Sequence, residues 1–380
     1  MTIDTSKNVN DTLDITWRST LEKLADHIDA PSFAKLPWSM VDNNIESPND
    51  SAPNLELIVP LQEYVIVTVS GPKISQFLQG QCTCNFLTLG ENIATYGSHC
   101  TPKGRMIASF LAKKLPTNND EECFGLRVHQ SCAKALCDSL SKYGIFSKAK
   151  VAISQSILPF VFYNSIEGEP TRTTTSKAYD VWKNCTAAIA FSLPLNAYSD
   201  NLSFELKELW LPIDNLEAIE KHTLKTPSLN TSAWNLIQIR TGIYDVRDTT
   251  SEALLPQEIN HQQLDAIDFK KGCYTGQEII ARLHYKGQLK KQLQSIQIKT
   301  ESNENEPKLP FDLGLNIGDS CDDPDILKNI NSAELNIGQV LLAVKTDHNA
   351  IECLSILKND ALKNEHENII EVNIRELPYY

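Results

Sequence analysis

Lys271-Gly272-Cys273-Tyr274-Thr275-Gly276-Gln277-Glu278 is the most informative run of residues in this chain. Two glycines bracket a cysteine, and glycine is the residue that tight or left-handed backbone admits most readily. The octet therefore reads as a cysteine held on a turn between folded elements. Its surroundings are basic: Lys270, Lys271, Arg282, Lys286, Lys290 and Lys291 stand against one acid, Glu278. Nearby cations stabilise a thiolate, the reactive form of cysteine. Cys273 is thus the candidate working thiol, and Lys271, two residues away, its candidate activator. Gln277 and Glu278 read as turn-to-helix residues, where Glu278 in a first helical turn would complement the helix dipole.

Outward from the octet, residues 288–299, 338–346, 350–357 and 369–377 alternate as strands. They predict a small all-β domain over 288–380, a barrel. The acidic stretch 302–325 between them reads as loop. On the other side, 55–287 reads as an α+β body. Strands are expected at 64–69, 82–87, 94–100, 105–113, 150–154, 158–163, 187–193 and 202–210. Helices are expected at 73–79, 129–143, 214–223 and 231–241. Residues 242–287 are read as mostly irregular. Residues 1–54 form an extension, with an amphipathic helix at 12–28 and an Asn-, Ser-, Asp- and Pro-rich linker at 43–54.

Composition narrows the classes. No apolar run approaches the ~20 residues of a membrane helix. Residues 1–14 lack the basic segment and apolar core of a secretory signal. The ten cysteines are scattered without a framework spacing, which predicts a reduced, cytoplasmic protein. The net charge of −13 argues against direct, stable nucleic-acid binding. A basic island on an acidic protein can instead focus a small anion or an acidic tail. No Gly-rich phosphate loop, His-Glu-x-x-His or Gly-x-Ser-x-Gly occurs. Cys273 with His284 or His261 makes a conceivable thiol–imidazole pair. Zinc or cluster ligation with Cys82, Cys84 or Cys100 is the other option, but no cysteine-pair spacing supports a permanent cluster, and no metal site is expected.

The octet resembles the hallmark of the YgfZ family. Leu255-Pro256-Gln257-Glu258, Gly80-Gln81-Cys82-Thr83-Cys84-Asn85, Pro102-Lys103-Gly104-Arg105-Met106, Gly338-Gln339-Val340-Leu341-Leu342-Ala343-Val344-Lys345 and Leu377-Pro378-Tyr379 resemble further pieces of that family, in the right order. The resemblance runs from about residue 55 to the end. It implies a T-protein-like three-domain ring with a C-terminal β-barrel around a folate-binding opening. It also implies tetrahydrofolate as ligand and iron–sulfur client or assembly proteins as partners. The implied role is support for synthesis or repair of iron–sulfur enzymes, with tRNA thiomethylation as an indirect output. Tyr64 and Trp234 fall on two aromatic positions associated with folate; the family residue at the first can be Trp. Arg282 or Lys286 would take the folate carboxylates, and Gln277 and Glu278 belong to the same implied site.

Two departures stand out. T-proteins carry an Asp pair where this chain has Ile107, Ala108 and Ser109, so the carboxylate for proton handling is missing. Where T-proteins have a Glu before the Ala-Gly of a long helix, this chain has Arg240, which accepts no hydrogen bond. Either folate sits differently, or Asp245 or Glu258 substitutes, or affinity is weak. The competing readings are a folate-dependent aminomethyltransferase and a non-enzymatic adaptor that docks iron–sulfur clients. An enzyme of this kind would be a folate-dependent one-carbon or thiol-based transferase.

Overall fold

The unbroken β-branched run from Val65 to Val69 makes Tyr64–Gly71 (β2) the pivot of the first sheet, where it pairs antiparallel with strands on both sides. The computed structural model describes residues 56–117, 121–165, 189–193, 204–212, 231–300, 315, 319–331, 337–347, 349–358, 370–375 and 377. The expected helices at 12–28 and 214–223 lie outside them. In the first sheet β2 is joined by Ala94–Cys100 (β3), Met106–Lys114 (β4), Glu122–His129 (β5) and Lys150–Ile153 (β6), in the order β3-β4-β5-β2-β6. Helices Ile74–Gln81 (α1) and Gln130–Gly144 (α2) lie on it, burying Ile74, Phe77 and Leu78 from one and Cys132, Ala133, Leu136 and Leu140 from the other.

A second sheet interleaves with the first along the chain. Glu56–Pro60 (β1), Ile157–Ser165 (β7), Ile189–Ser192 (β8) and Phe204–Pro212 (β9) form it in the order β1-β7-β9-β8. Helix Thr231–Thr241 (α3) follows, then irregular chain, then helix Gln277–Lys286 (α4). The third sheet takes Lys291–Thr300 (β10), Ser320–Cys321 (β11), Gln339–Asp347 (β12), Ala350–Lys358 (β13) and Ile370–Arg375 (β14), in the order β11-β12-β13-β10-β14. Helix Pro324–Asn331 (α5) packs against β12. β11 and β14 are its two edges, and among the described residues no pairing between them closes a barrel.

Three sequence expectations change. Residues 82–87 form no strand beyond a single bridge between Cys82 and His99. β1, and β5, which is central in its sheet, are absent from the sequence reading. The expected loop at 302–325 contains β11 and the start of α5.

α3 has almost no solvent face, since Ala233 to Thr241 are all buried. Its far side meets the third sheet through a polar seam. Arg240 donates from Nε and Nη2 to the two Glu352 oxygens at 2.8 and 2.7 Å. Burial would raise the Glu352 carboxyl, but Arg240 outweighs it and holds the group below its ordinary range. Asn235 Nδ2 donates to Ser320 Oγ at 2.9 Å, and Arg247 Nε lies 2.7 Å from Asp322. Arg240, odd as a folate contact, is therefore a strut between helix and sheet.

Candidate functional site

The sequence motifs converge on the octet. Lys271 Nζ donates to the carbonyls of Cys82 and Cys84 at 2.7 and 2.6 Å. Asp268 accepts from Asn85 Nδ2 at 2.8 Å and from the main-chain N–H of Lys270 and Lys271. Thr83 Oγ1 donates to the Ala266 carbonyl at 2.6 Å, and the Thr275 N–H to that of Gly80 at 3.2 Å. The segment from 80 to 85 is thus tied to residues 266–275 on one side and to β3 on the other, where the Thr83 N–H donates to the Ser98 carbonyl at 3.0 Å. From the other side, Gln257 Nε2 donates to the Ile280 carbonyl at 2.7 Å. Glu258 meets Arg105 at 3.4 Å and Lys291 at 3.5 Å.

Gly276 sets the turn into α4. Its φ is +85°, and a Cβ there would lie 2.6 Å from the Thr101 carbonyl and 3.0 Å from Gly104 Cα. Gly272, by contrast, has open space around it. Glu278 occupies the first turn of α4, where its charge suits the dipole. Cys273 is exposed, whereas Cys82, Cys84, Cys100, Cys132, Cys321 and Cys353 are buried. Burial pushes the Cys84 and Cys353 thiols up to about 12. The Lys271 ammonium, expected to activate Cys273, is instead engaged by two main-chain carbonyls and lies over the Tyr274 ring.

Neither candidate imidazole serves the thiol. His261 is buried against Ser98 Oγ at 2.8 Å, and burial pushes its pKa down to about 4. His284 stacks on Phe269 with ring centres 3.7 Å apart. That stacked pair, with Gln257, Gln263 and Leu283, lines a cleft of about 480 Å³ beside α4. Cys273 does not line it. No group of three His, Cys, Asp or Glu side chains among the described residues is arranged to hold a metal ion.

The second assembly is buried between the first two sheets and α3, the kind of junction where ligand sites occur. Trp234 Nε1 donates to the Tyr64 hydroxyl at 3.0 Å, which lies 3.4 Å from Gln238 Oε1. Gln238 Nε2 donates to Asp245 Oδ2 at 3.0 Å. Arg127 reaches into this frame from β5. Its Nη1 donates to Asp245 at 3.3 Å, and its Nε lies 2.9 Å from Glu208 on β9, which also accepts from Trp210 at 2.6 Å. Burial opposes the charge on Arg127, but Glu208 and Asp245 outweigh it and hold the guanidinium protonated. Burial pushes the Glu208 carboxyl up despite Arg127.

Tyr64 and Trp234 do come together, but not as stacking plates. They are 1 % and 0 % exposed, and their rings meet edge to face at 6.4 Å and 83°. The Arg127 guanidinium lies 4.6 Å from the Tyr64 ring centre and 5.5 Å from that of Trp234. Gln277, Glu278, Arg282 and Lys286 sit on α4, the last three exposed. Among the described residues no hydrogen bond or ion pair joins the octet to the Tyr64–Trp234 frame. Sequence reasoning missed Arg127 and Glu208. Glu208 did carry a signal: it shares a strand face with Leu206 and Trp210, both buried.

The fold is that of an aminomethyltransferase. A crystal structure of glycine cleavage system aminomethyltransferase T from Bartonella henselae matches with a TM-score of 0.58 at 12% identity, covering 86% of each chain. No protein-family model matches the chain. Curated relatives do. The tRNA-modifying protein YgfZ of Photobacterium profundum is 30% identical over 242 residues, 63% of this chain and 68% of that protein. The protein of the same name from Aliivibrio fischeri is 30% identical over 63% of this chain and 70% of that protein. That of Sodalis glossinidius is 25% identical over 85% and 92%. The chain belongs to the YgfZ family. No helix among the described residues is long and apolar enough to cross a membrane.

Proposed function

We propose that this chain binds a reduced folate at the Tyr64–Trp234 frame and, with Cys273 as its working thiol, supports iron–sulfur enzymes, tRNA modification being the indirect output. The relatives' name, tRNA-modifying protein, agrees with that output. The proposal includes a T-protein-like ring made of a 55–287 body and a 288–380 β domain.

The observation that carries the reading is chemical. Two buried carboxylates and two aromatic rings surround a planar guanidinium. The amino-pyrimidinone edge of a pterin is a cyclic guanidine with the same in-plane donors. Glu208 suits those donors, and Tyr64, the ring nearer the guanidinium, suits one ring face. The exposed cations of α4, Arg282 and Lys286, suit the glutamate tail. The transferase reading gains nothing here: the buried Ser109 hydroxyl accepts from the Val246 N–H at 2.7 Å, and no acid stands beside it at 107 or 108.

Titration with tetrahydrofolate tests the ligand. Quenching of tryptophan fluorescence is expected, and Glu208→Gln should weaken binding by about 1–3 kcal/mol. Unaltered affinity in folded Glu208→Gln and Trp234→Phe variants sinks the assignment. For the thiol, a strain lacking its own family member should recover thiomethylated tRNA with the wild-type chain and not with Cys273→Ser. Full recovery with Cys273→Ser removes the thiol from the proposal.

A further inference from the structure

The frame is filled, and filled imperfectly. The Arg127 side chain is fully buried: Nη1 donates to Asp245 and Nε is paired with Glu208 Oε1 at 2.9 Å, yet Nη2 has no partner. Around it, Glu208 Oε2 and the Tyr96 hydroxyl are also buried without partners. Tyr96 belongs to the same apolar cluster as Tyr64, Trp210 and Trp234. An arginine built in only to brace the core should spend its five donors. Unmade hydrogen bonds of buried charged groups cost more than those of neutral ones. Spare donors on the arginine beside a spare acceptor on its partner indicate a frame shaped for something other than that arginine.

Resting on the folate reading, we propose that Arg127 is a resident surrogate for the ligand: its guanidinium occupies the place of the pterin's guanidine edge, and a pterin binds by displacing it from Glu208. In the exchange Arg127 keeps Asp245 and gives up the aromatic faces. Glu208 then offers both oxygens to the ring, and Tyr96 gains a polar neighbour. Affinity is set by a competition within the protein, which rejects flat molecules lacking a guanidine edge, because they cannot satisfy the carboxylate Arg127 leaves behind.

The test compares wild type with Arg127→Ala and, because Ala leaves two carboxylates unpaired, with Arg127→Lys, which keeps the charge but not the planar fork. Tetrahydrofolate affinity is measured by calorimetry and melting temperature by circular dichroism, with and without millimolar guanidinium chloride. Both variants should bind tetrahydrofolate at least about tenfold more tightly than wild type, some 1.4 kcal/mol. Millimolar guanidinium should raise the melting temperature of Arg127→Ala but not of wild type, and should compete with tetrahydrofolate in that variant alone. If wild type binds tetrahydrofolate and neither variant binds more tightly, the surrogate role falls and the folate reading stands. If no form binds, both fall. If both variants lose their native near-ultraviolet spectrum and guanidinium does not restore it, Arg127 is a structural brace and the surrogate role falls.

Discussion

The octet platform and the Arg127 frame are organised by opposite means. Around the octet, side chains hold backbone: Lys271 caps two carbonyls, Asp268 takes two N–H groups, and Thr83 donates to a carbonyl. The result is a fixed main-chain path that leaves Cys273 in solvent. In the frame, side chains hold side chains, and charge is sealed away from water with partners left unsatisfied. A platform of the first kind suits presenting a reactive group, while one of the second suits exchanging an internal partner for an external one. The difference predicts that the two regions fail differently.

The largest effect belongs to the frame. Glu208→Ala leaves Arg127 buried beside one carboxylate fewer, and breaking such a pair costs about 3–5 kcal/mol. Urea denaturation should show that loss, while alkylation of Cys273 in the folded variant keeps its wild-type rate. A changed rate would mean that the two regions are not separate.

Next comes His261. Its folded pKa, about 4, is below the ordinary value of 6.5, so the unfolded chain takes up the proton first as pH falls. Stability is therefore full above 6.5 and drains away between 6.5 and about 4, by about 3 kcal/mol. His261→Asn should flatten that limb of the profile. An equally steep loss in the variant would assign the acid sensitivity to other groups, buried His99 among them.

On the platform, Gly276→Ala forces a side chain into left-handed backbone facing the Thr101 carbonyl. Strain of this kind costs on the order of 1–3 kcal/mol. Chemical denaturation measures it, and a neutral result would show that the turn relaxes freely. The smallest effect is expected for Cys273→Ser, an exposed site where stability should stay within about 0.5 kcal/mol. A larger loss would make the thiol a packing group, which its exposure contradicts.

The platform was legible because its determinants are local. Gly276, Lys271 and Glu278 announce a turn, a cation and a helix start within eight residues. β3 and α3 stand where the sequence places a strand and a helix. β5 was not: it is central, its residues from Phe124 to His129 are buried on both faces, and a strand of that kind shows no alternation. The frame was hidden by distance, since Arg127 and Asp245 lie 118 residues apart. Aromatic positions could be read from Tyr64 and Trp234, but not that their rings meet edge to face with a guanidinium over them. Nor did the spacing of Lys271 from Cys273 reveal that its ammonium turns inward.

α3 carries Trp234 on one side and Asn235 and Arg240 on the other. Eleven residues make a rod about 16 Å long. Buried from Ala233 to Thr241, it ties the frame to the third sheet. A tilt forced on it at the Trp234 ring must appear at Glu352 and Ser320 in the third sheet. Amide exchange along β13 is therefore a remote gauge of what occupies the frame, readable without touching any residue that lines it.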